Sequence, residues 1–229
     1  MNSSWGLYFL FLIPPMILGF VIQARLKKTV AAQMQIPVIS GKTGAEVARE
    51  ILDRNGLQAV PVEPSPGGPL SDHYDPRSRS VHLSEPVYNG RAVASTAIAA
   101  HEVGHALQHE KGYSMFKLRS TMFPAVAFAS NAWIFLLMIG VFTNAVGLVQ
   151  VGVLLFAVVV LFQLVTLPVE FDASRRALEQ IKTYGLVQTS EGSGAKKVLS
   201  AAAMTYVAAA LAALSQLAYY VLVFLGNRN

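Results

Sequence analysis

The segment AVASTAIAAHEVGHALQHE, residues 92–110, combines good helix formers with a His-Glu-x-x-His pattern. Residues four apart share one face of a helix, so His101 and His105 can bind one ion together. Glu102 is adjacent to the first histidine and can reach a water molecule on that ion. Two imidazoles at this spacing with a glutamate beside them predict a zinc site that carries its own general base.

The composition is that of a membrane protein. Of the 229 residues, 53% are hydrophobic and only 14% are charged, whereas an ordinary soluble domain has about 25% charged residues. The apolar residues are gathered into long blocks. There is no cysteine, so disulfides and thiolate ligands are excluded, and a zinc ion must be held by His, Asp or Glu.

Four apolar blocks predict a mainly α, polytopic membrane protein with about four transmembrane helices and a small α+β cytoplasmic region. The predicted parts are a transmembrane anchor (1–24), a catalytic region (25–120), a transmembrane hairpin (121–167), a helix and loop with the third ligand (168–200) and a C-terminal transmembrane helix (201–229). We expect the third span to stop at Pro168 and residues 185–197 to form a flexible loop.

The charge distribution predicts the orientation of the spans. A signal peptide usually has positive charge before its apolar run, but here Arg25, Lys27 and Lys28 follow it, which favours an uncleaved anchor. All 18 Lys and Arg residues except Arg228 fall in residues 25–120 and 169–200. The positive-inside rule places both regions in the cytoplasm. This accounts for the net charge of +5 without nucleic acid as a partner.

The polar region also has local structural signals. Residues 43–56 predict an amphipathic helix with Thr43 as N-cap and Gly56 as its stop. Residues 57–63 alternate like a strand. Residues 70–84, LSDHYDPRSRSVHLS, predict a strand, a turn and a second strand.

Glu170 is the candidate for the third ligand. Catalytic zinc usually has three protein ligands and one open position, and the helix supplies only two. The hairpin leaves the membrane surface near the end of the His101 helix and returns to it at Glu170. The alternative is that the carboxylate pairs with Arg175 or Arg176, or is solvated.

Other polar residues are weaker candidates. His73, Tyr74 and His109 are possible contacts to substrate or transition state, with His73 and Tyr74 as oxyanion donors. His73 and Asp75 are also possible ligands, or ordinary residues flanking a turn. His109 is also interpretable as a solvated helix residue.

The chain resembles the YugP-like neutral zinc metallopeptidases of bacterial membranes. The resemblance rests on residues 70–84, on VYNGRAVASTAIAAHEVGHALQH (87–109) and on LPVEFDASRRAL (167–178). The order of helix motif, membrane hairpin and glutamate is also similar to HtpX-type and CAAX-prenyl-protease metallopeptidases. That similarity implies a zincin-like region with Glu170 as zinc ligand. Those relatives have an aspartate where this chain has Ser174, which argues against a supporting role for Asp172 or Ser174.

Together these features predict a membrane-bound endopeptidase that uses one Zn²⁺ ion and acts at the cytoplasmic face of the cell membrane. His101, His105 and Glu170 would hold the ion, and Glu102 would take a proton from water and pass it to the leaving amine. Residues 80–84 could pair with an extended peptide or membrane-protein substrate. The alternatives are a site-2-type intramembrane protease and a non-catalytic zinc-binding scaffold or sensor. A transporter fits least, since the spans offer few polar side chains.

Overall fold

The computed structural model describes residues 2–226 and is mainly helical. Arg228, the one basic residue predicted outside the cytoplasm, lies beyond the described residues. The elements in chain order are α1 (Asn2–Met34), α2 (Gly44–Arg54), β1 (Val62–Pro64), β2 (His73–Asp75), β3 (Ser80–Leu83), α3 (Glu85–Tyr88), α4 (Val93–Glu110), α5 (Ser114–Phe142), α6 (Val146–Thr183) and α7 (Thr189–Gly226).

Four helices are long and apolar enough to cross a membrane, in agreement with the predicted class. They comprise Gly6–Met34, Ser114–Phe142, Val146–Thr183 and Thr189–Val223. α6 has 38 residues and is therefore about 57 Å long at 1.5 Å per residue. Since the hydrocarbon core of a bilayer is about 30 Å thick, a large part of this helix must extend beyond the lipid.

The prediction that the third span stops at Pro168 is wrong, because α6 continues through this residue to Thr183. Proline removes its N–H from the helical ladder and crowds the carbonyl of the residue four positions earlier, and membrane helices tolerate both effects. The residues that follow are held by packing, since Val169 and Ala173 are fully buried.

The predicted flexible loop at 185–197 is also wrong over most of its length, because α7 begins at Thr189. The Glu191 carboxylate accepts hydrogen bonds from the backbone N–H groups of Gln188 and Ile39, with an N to O distance of 2.7 Å in each case. Gly194 lies so close to Gln33 that an added Cβ would be 2.2 Å from the amide oxygen. This glycine permits a close approach of neighbouring atoms.

The chain divides into two compact units. One contains residues 118–167 together with the chain up to residue 22 and from residue 205 onward, and the other contains residues 23–117 and 168–204. In the first unit, the Trp133 and Phe156 rings lie 4.5 Å apart and the Ser215 hydroxyl donates to the carbonyl of Phe11 at 2.7 Å.

The second unit contains the predicted local elements. Thr43 and Glu46 form a reciprocal capping box at the start of α2. β1 pairs parallel to β3, and β2 pairs antiparallel to β3. β3 is therefore the central strand of the order β1-β3-β2. The hypothesis that residues 80–84 pair with substrate is wrong, because both edges of this strand are already hydrogen-bonded.

Candidate metal centre

Helix α4 presents the two histidines from within a tightly packed part of the second unit. Most of its residues are buried, and many of them are alanine or glycine. Gly104 lies against the backbone of α6, where an added Cβ would be only 2.6 Å from the Ala173 carbonyl oxygen. This close approach brings the His101 and His105 turns of α4 against the part of α6 that carries Glu170.

We expect Gly104→Ala to destabilise the protein by about 1–3 kcal/mol, because the new methyl group must push α4 away from the backbone of α6. The helix propensity of alanine offsets only about 1 kcal/mol of this cost. Thermal unfolding of the detergent-purified protein measures the change. Gly192→Ala is the matched control, since its Cβ would meet only the end of Lys182 at 3.8 Å. Equal unfolding temperatures for the two variants would contradict the packing argument.

The donor atoms of His101, His105 and Glu170 converge. The Nε2 atoms of His101 and His105 lie 3.2 and 3.6 Å from Oε2 of Glu170, and the three donor atoms all lie within 4.8 Å of one another. Tetrahedral zinc with its usual bond lengths separates its ligand atoms by about 3.3–3.5 Å. The donor set and its spacing therefore fit a zinc ion. Among residues 2–226 no other cluster of His, Asp and Glu meets this criterion.

Glu102 lies beside this group and is nearly fully buried. Burial raises the pKa of its carboxyl from 4.5 to about 7, with the nearby charges of Glu170 and Asp72 adding to the rise. The charge interaction with His101, and to a smaller extent a hydrogen bond from the Tyr74 backbone, lower the pKa of this carboxyl. A carboxyl group in this range can exchange protons near neutral pH, as a general base requires.

The other nitrogen of each histidine also has a partner. Nδ1 of His101 lies 3.2 Å from the Ser174 hydroxyl, and Nδ1 of His105 lies 3.0 Å from Oε1 of Gln108. Asp172 reaches the same network, because its Oδ2 accepts from the Gln108 amide at 2.9 Å. Asp172 and Ser174 therefore both contact this network, although the comparison of sequences had argued against a role for them. Gln108 was missed, although it is three residues after His105 and hence on the same helix face.

The arginines that follow Glu170 pair with another carboxylate. Arg176 Nε lies 2.5 Å from Oδ2 of Asp172, and Arg175 pairs with Oδ1 of the same residue. The two side chains that had been considered as partners for Glu170 thus both pair with Asp172, and Glu170 is itself 98% buried.

The weaker candidates from the sequence, His73, Tyr74 and His109, do not lie together: Tyr74 contacts His109, whereas His73 contacts another residue. The Tyr74 hydroxyl lies 2.9 Å from Nδ1 of His109, one turn beyond His105 on α4. His73 instead stacks on His82, with ring centroids 4.8 Å apart. Asp75 accepts the backbone N–H of Arg77 at 2.8 Å, which is the contact of a residue that flanks a turn.

Comparison with known proteins links the chain to one family. Residues 8–225 match the sequence profile of a family described as "Putative neutral zinc metallopeptidase". The chain is 48% identical over 222 residues to a protein of Bacillus subtilis (strain 168) named "Putative membrane protease YugP". The aligned region covers 96% of this chain and 98% of that protein. No solved structure matches.

Proposed function

We propose that this chain, which belongs to the putative neutral zinc metallopeptidase family, is a membrane-bound endopeptidase that hydrolyses peptide bonds at the cytoplasmic face of the cell membrane. The observation that carries the proposal is the convergence of His101, His105 and Glu170. These residues come from two helices that are distant in sequence, and His105 and Glu170 are buried. The donor atoms have the spacing of a zinc coordination sphere. Burying a carboxylate so completely is costly unless positive charge compensates it.

In this proposal the three donors would hold one zinc ion. When bound, the ion would supply Lewis-acid activation of water and of the scissile carbonyl. Within the described part of the chain, the group contains three donors and no fourth His, Asp or Glu. Three protein ligands match an open catalytic zinc site better than a closed structural one.

Glu102 moves the proton. Its carboxylate accepts a proton from the attacking water and later donates it to the nitrogen of the leaving amine. The Tyr74 backbone hydrogen-bonds this carboxylate and favours its charged form, which is the form that accepts the proton. The paired side chains of Tyr74 and His109 are proposed contacts for the carbonyl oxygen of the peptide.

The proposed location follows from the chain itself. The four apolar helices support an integral membrane protein, and the distribution of Lys and Arg favours a cytoplasmic location of the site. The unit that holds the metal group consists of residues 23–117 and 168–204. Glu170 is thus only three positions after the end of the apolar segment 118–167. A peptide or membrane-protein segment near the membrane surface is therefore the proposed substrate.

Metal removal tests the function. We expect the full-length, detergent-purified protein to contain about one zinc per chain and to cleave a fluorescently labelled unfolded protein. Treatment with 1,10-phenanthroline should abolish cleavage, and added zinc should restore it. Cleavage that persists in metal-free protein would reject the zinc mechanism. Stoichiometric zinc without cleavage of any unfolded or membrane-protein substrate would favour the scaffold alternative.

A further inference from the structure

The amide of Gln108 is completely buried between α4 and α6 and has three polar contacts. Its Nε2 lies 2.7 Å from the backbone oxygen of Val169 and 2.9 Å from Oδ2 of Asp172. Its Oε1 lies 3.0 Å from Nδ1 of His105, and none of the residue is exposed to solvent.

These contacts allow only one orientation of the amide. The carbonyl of Val169 accepts hydrogen bonds and cannot donate them, and the Asp172 carboxylate, paired with two arginines, is likewise an acceptor. Only the NH₂ group of Gln108 can satisfy both. Its oxygen must therefore face His105, and since an amide oxygen only accepts, Nδ1 of His105 must carry a hydrogen.

The hydrogen on Nδ1 has a consequence at the opposite side of the ring. In a neutral imidazole with hydrogen on Nδ1, the lone pair is on Nε2. That atom lies 3.6 Å from Oε2 of Glu170, so two hydrogen-bond acceptors face each other. Their contact is favourable only if a proton or a cation lies between them. The hydroxyl of Ser174 at His101 can either donate or accept, so it imposes no such choice.

We propose that Gln108 is a positioning residue, whose amide keeps the hydrogen of His105 on Nδ1 and thereby turns the Nε2 lone pair toward Glu170 for a cation. The proposal rests on the proposed zinc site. Asp172 contributes through Gln108: with Arg175 and Arg176 it fixes the amide, and the amide fixes the imidazole. Partners of metal-bound histidines typically contribute about 10–100-fold in metal affinity.

The test compares Gln108→Leu with the wild type in full-length protein labelled with ¹⁵N-histidine. We expect the metal-free wild type to show a directly bonded hydrogen on Nδ1 of His105, assigned by its absence in His105→Gln. This signal should be lost or exchange rapidly in Gln108→Leu. Competition with a zinc chelator should show about 10–100-fold weaker zinc binding in the same variant.

Thr96→Val is the matched control, because Thr96 is also fully buried in α4 and its hydroxyl has no hydrogen-bond partner among the described residues. The control should keep both the Nδ1 signal and the zinc affinity. A bare Nδ1 on His105 in the wild type would overturn the proposal, as would unchanged zinc affinity in Gln108→Leu or an equal loss in Thr96→Val. A protonated Nδ1 in a wild type that binds no zinc would instead reject the proposed function.

Discussion

Glu102→Gln is expected to reduce peptide hydrolysis by about 10²–10⁴-fold, the usual contribution of a general base, while zinc remains bound. The amide has nearly the same volume as the carboxyl group and can still accept the hydrogen bond from the Tyr74 backbone. It cannot take a proton from water. Rates of cleavage of a labelled unfolded protein, measured beside the zinc content of the same preparation, give both quantities.

Glu110→Gln is the control for this variant, because Glu110 is on the same helix but exposed. It makes the same chemical change elsewhere on α4 without touching the metal group, and we expect wild-type rates. If Glu102→Gln cleaves as fast as the wild type, Glu102 is not the base and the proposed mechanism is wrong.

Glu170→Ala is expected to remove most of the zinc that we expect the wild-type protein to hold, which is about one ion per chain. The two imidazoles that remain would supply only two of the three proposed protein ligands. Glu170→Gln tests the same donor with less change in packing, since the side chain is almost completely buried and alanine would leave a cavity. Metal analysis after gel filtration measures the loss.

Glu179→Ala provides the comparison on the same helix. Glu179 is exposed and pairs only with Arg175 at 3.6 Å among the contacts described for it, so this variant should keep its zinc. Full zinc occupancy in both Glu170 variants would reject Glu170 as a ligand. The zinc would then have to be held by the two histidines and a donor outside this group.

The elements that were predicted from sequence are those with short-range signals. The capping box joins Thr43 to Glu46, three residues away, and the strand pair β2 and β3 is joined by a four-residue turn. The two histidines one helical turn apart predicted a convergent pair. Glu170 was predicted from topology, and the structure brings it to that pair.

The features that were missed depend on contacts between distant parts of the chain. The start of α7 is stabilised by Glu191 bonding to Ile39, 152 positions away, and no local pattern indicates that partner. Gln108 is held by Val169 and Asp172, 61 and 64 positions later. Its spacing from His105 is compatible with a shared helix face, but only the neighbouring helix shows why an amide is needed there.

The unit that carries the metal group is discontinuous in the chain, and this fixes an order of events during synthesis. His101 leaves the ribosome 69 positions before Glu170, a delay of roughly 3–14 s at about 5–20 residues per second. Residues 118–167 of the other unit are translated in that interval. A nascent chain therefore carries two of its three proposed zinc donors until the membrane hairpin has been made. We therefore expect the complete zinc site, and with it the proposed peptidase activity, to form only late in synthesis, after the time when unfolded nascent chains are closest to it.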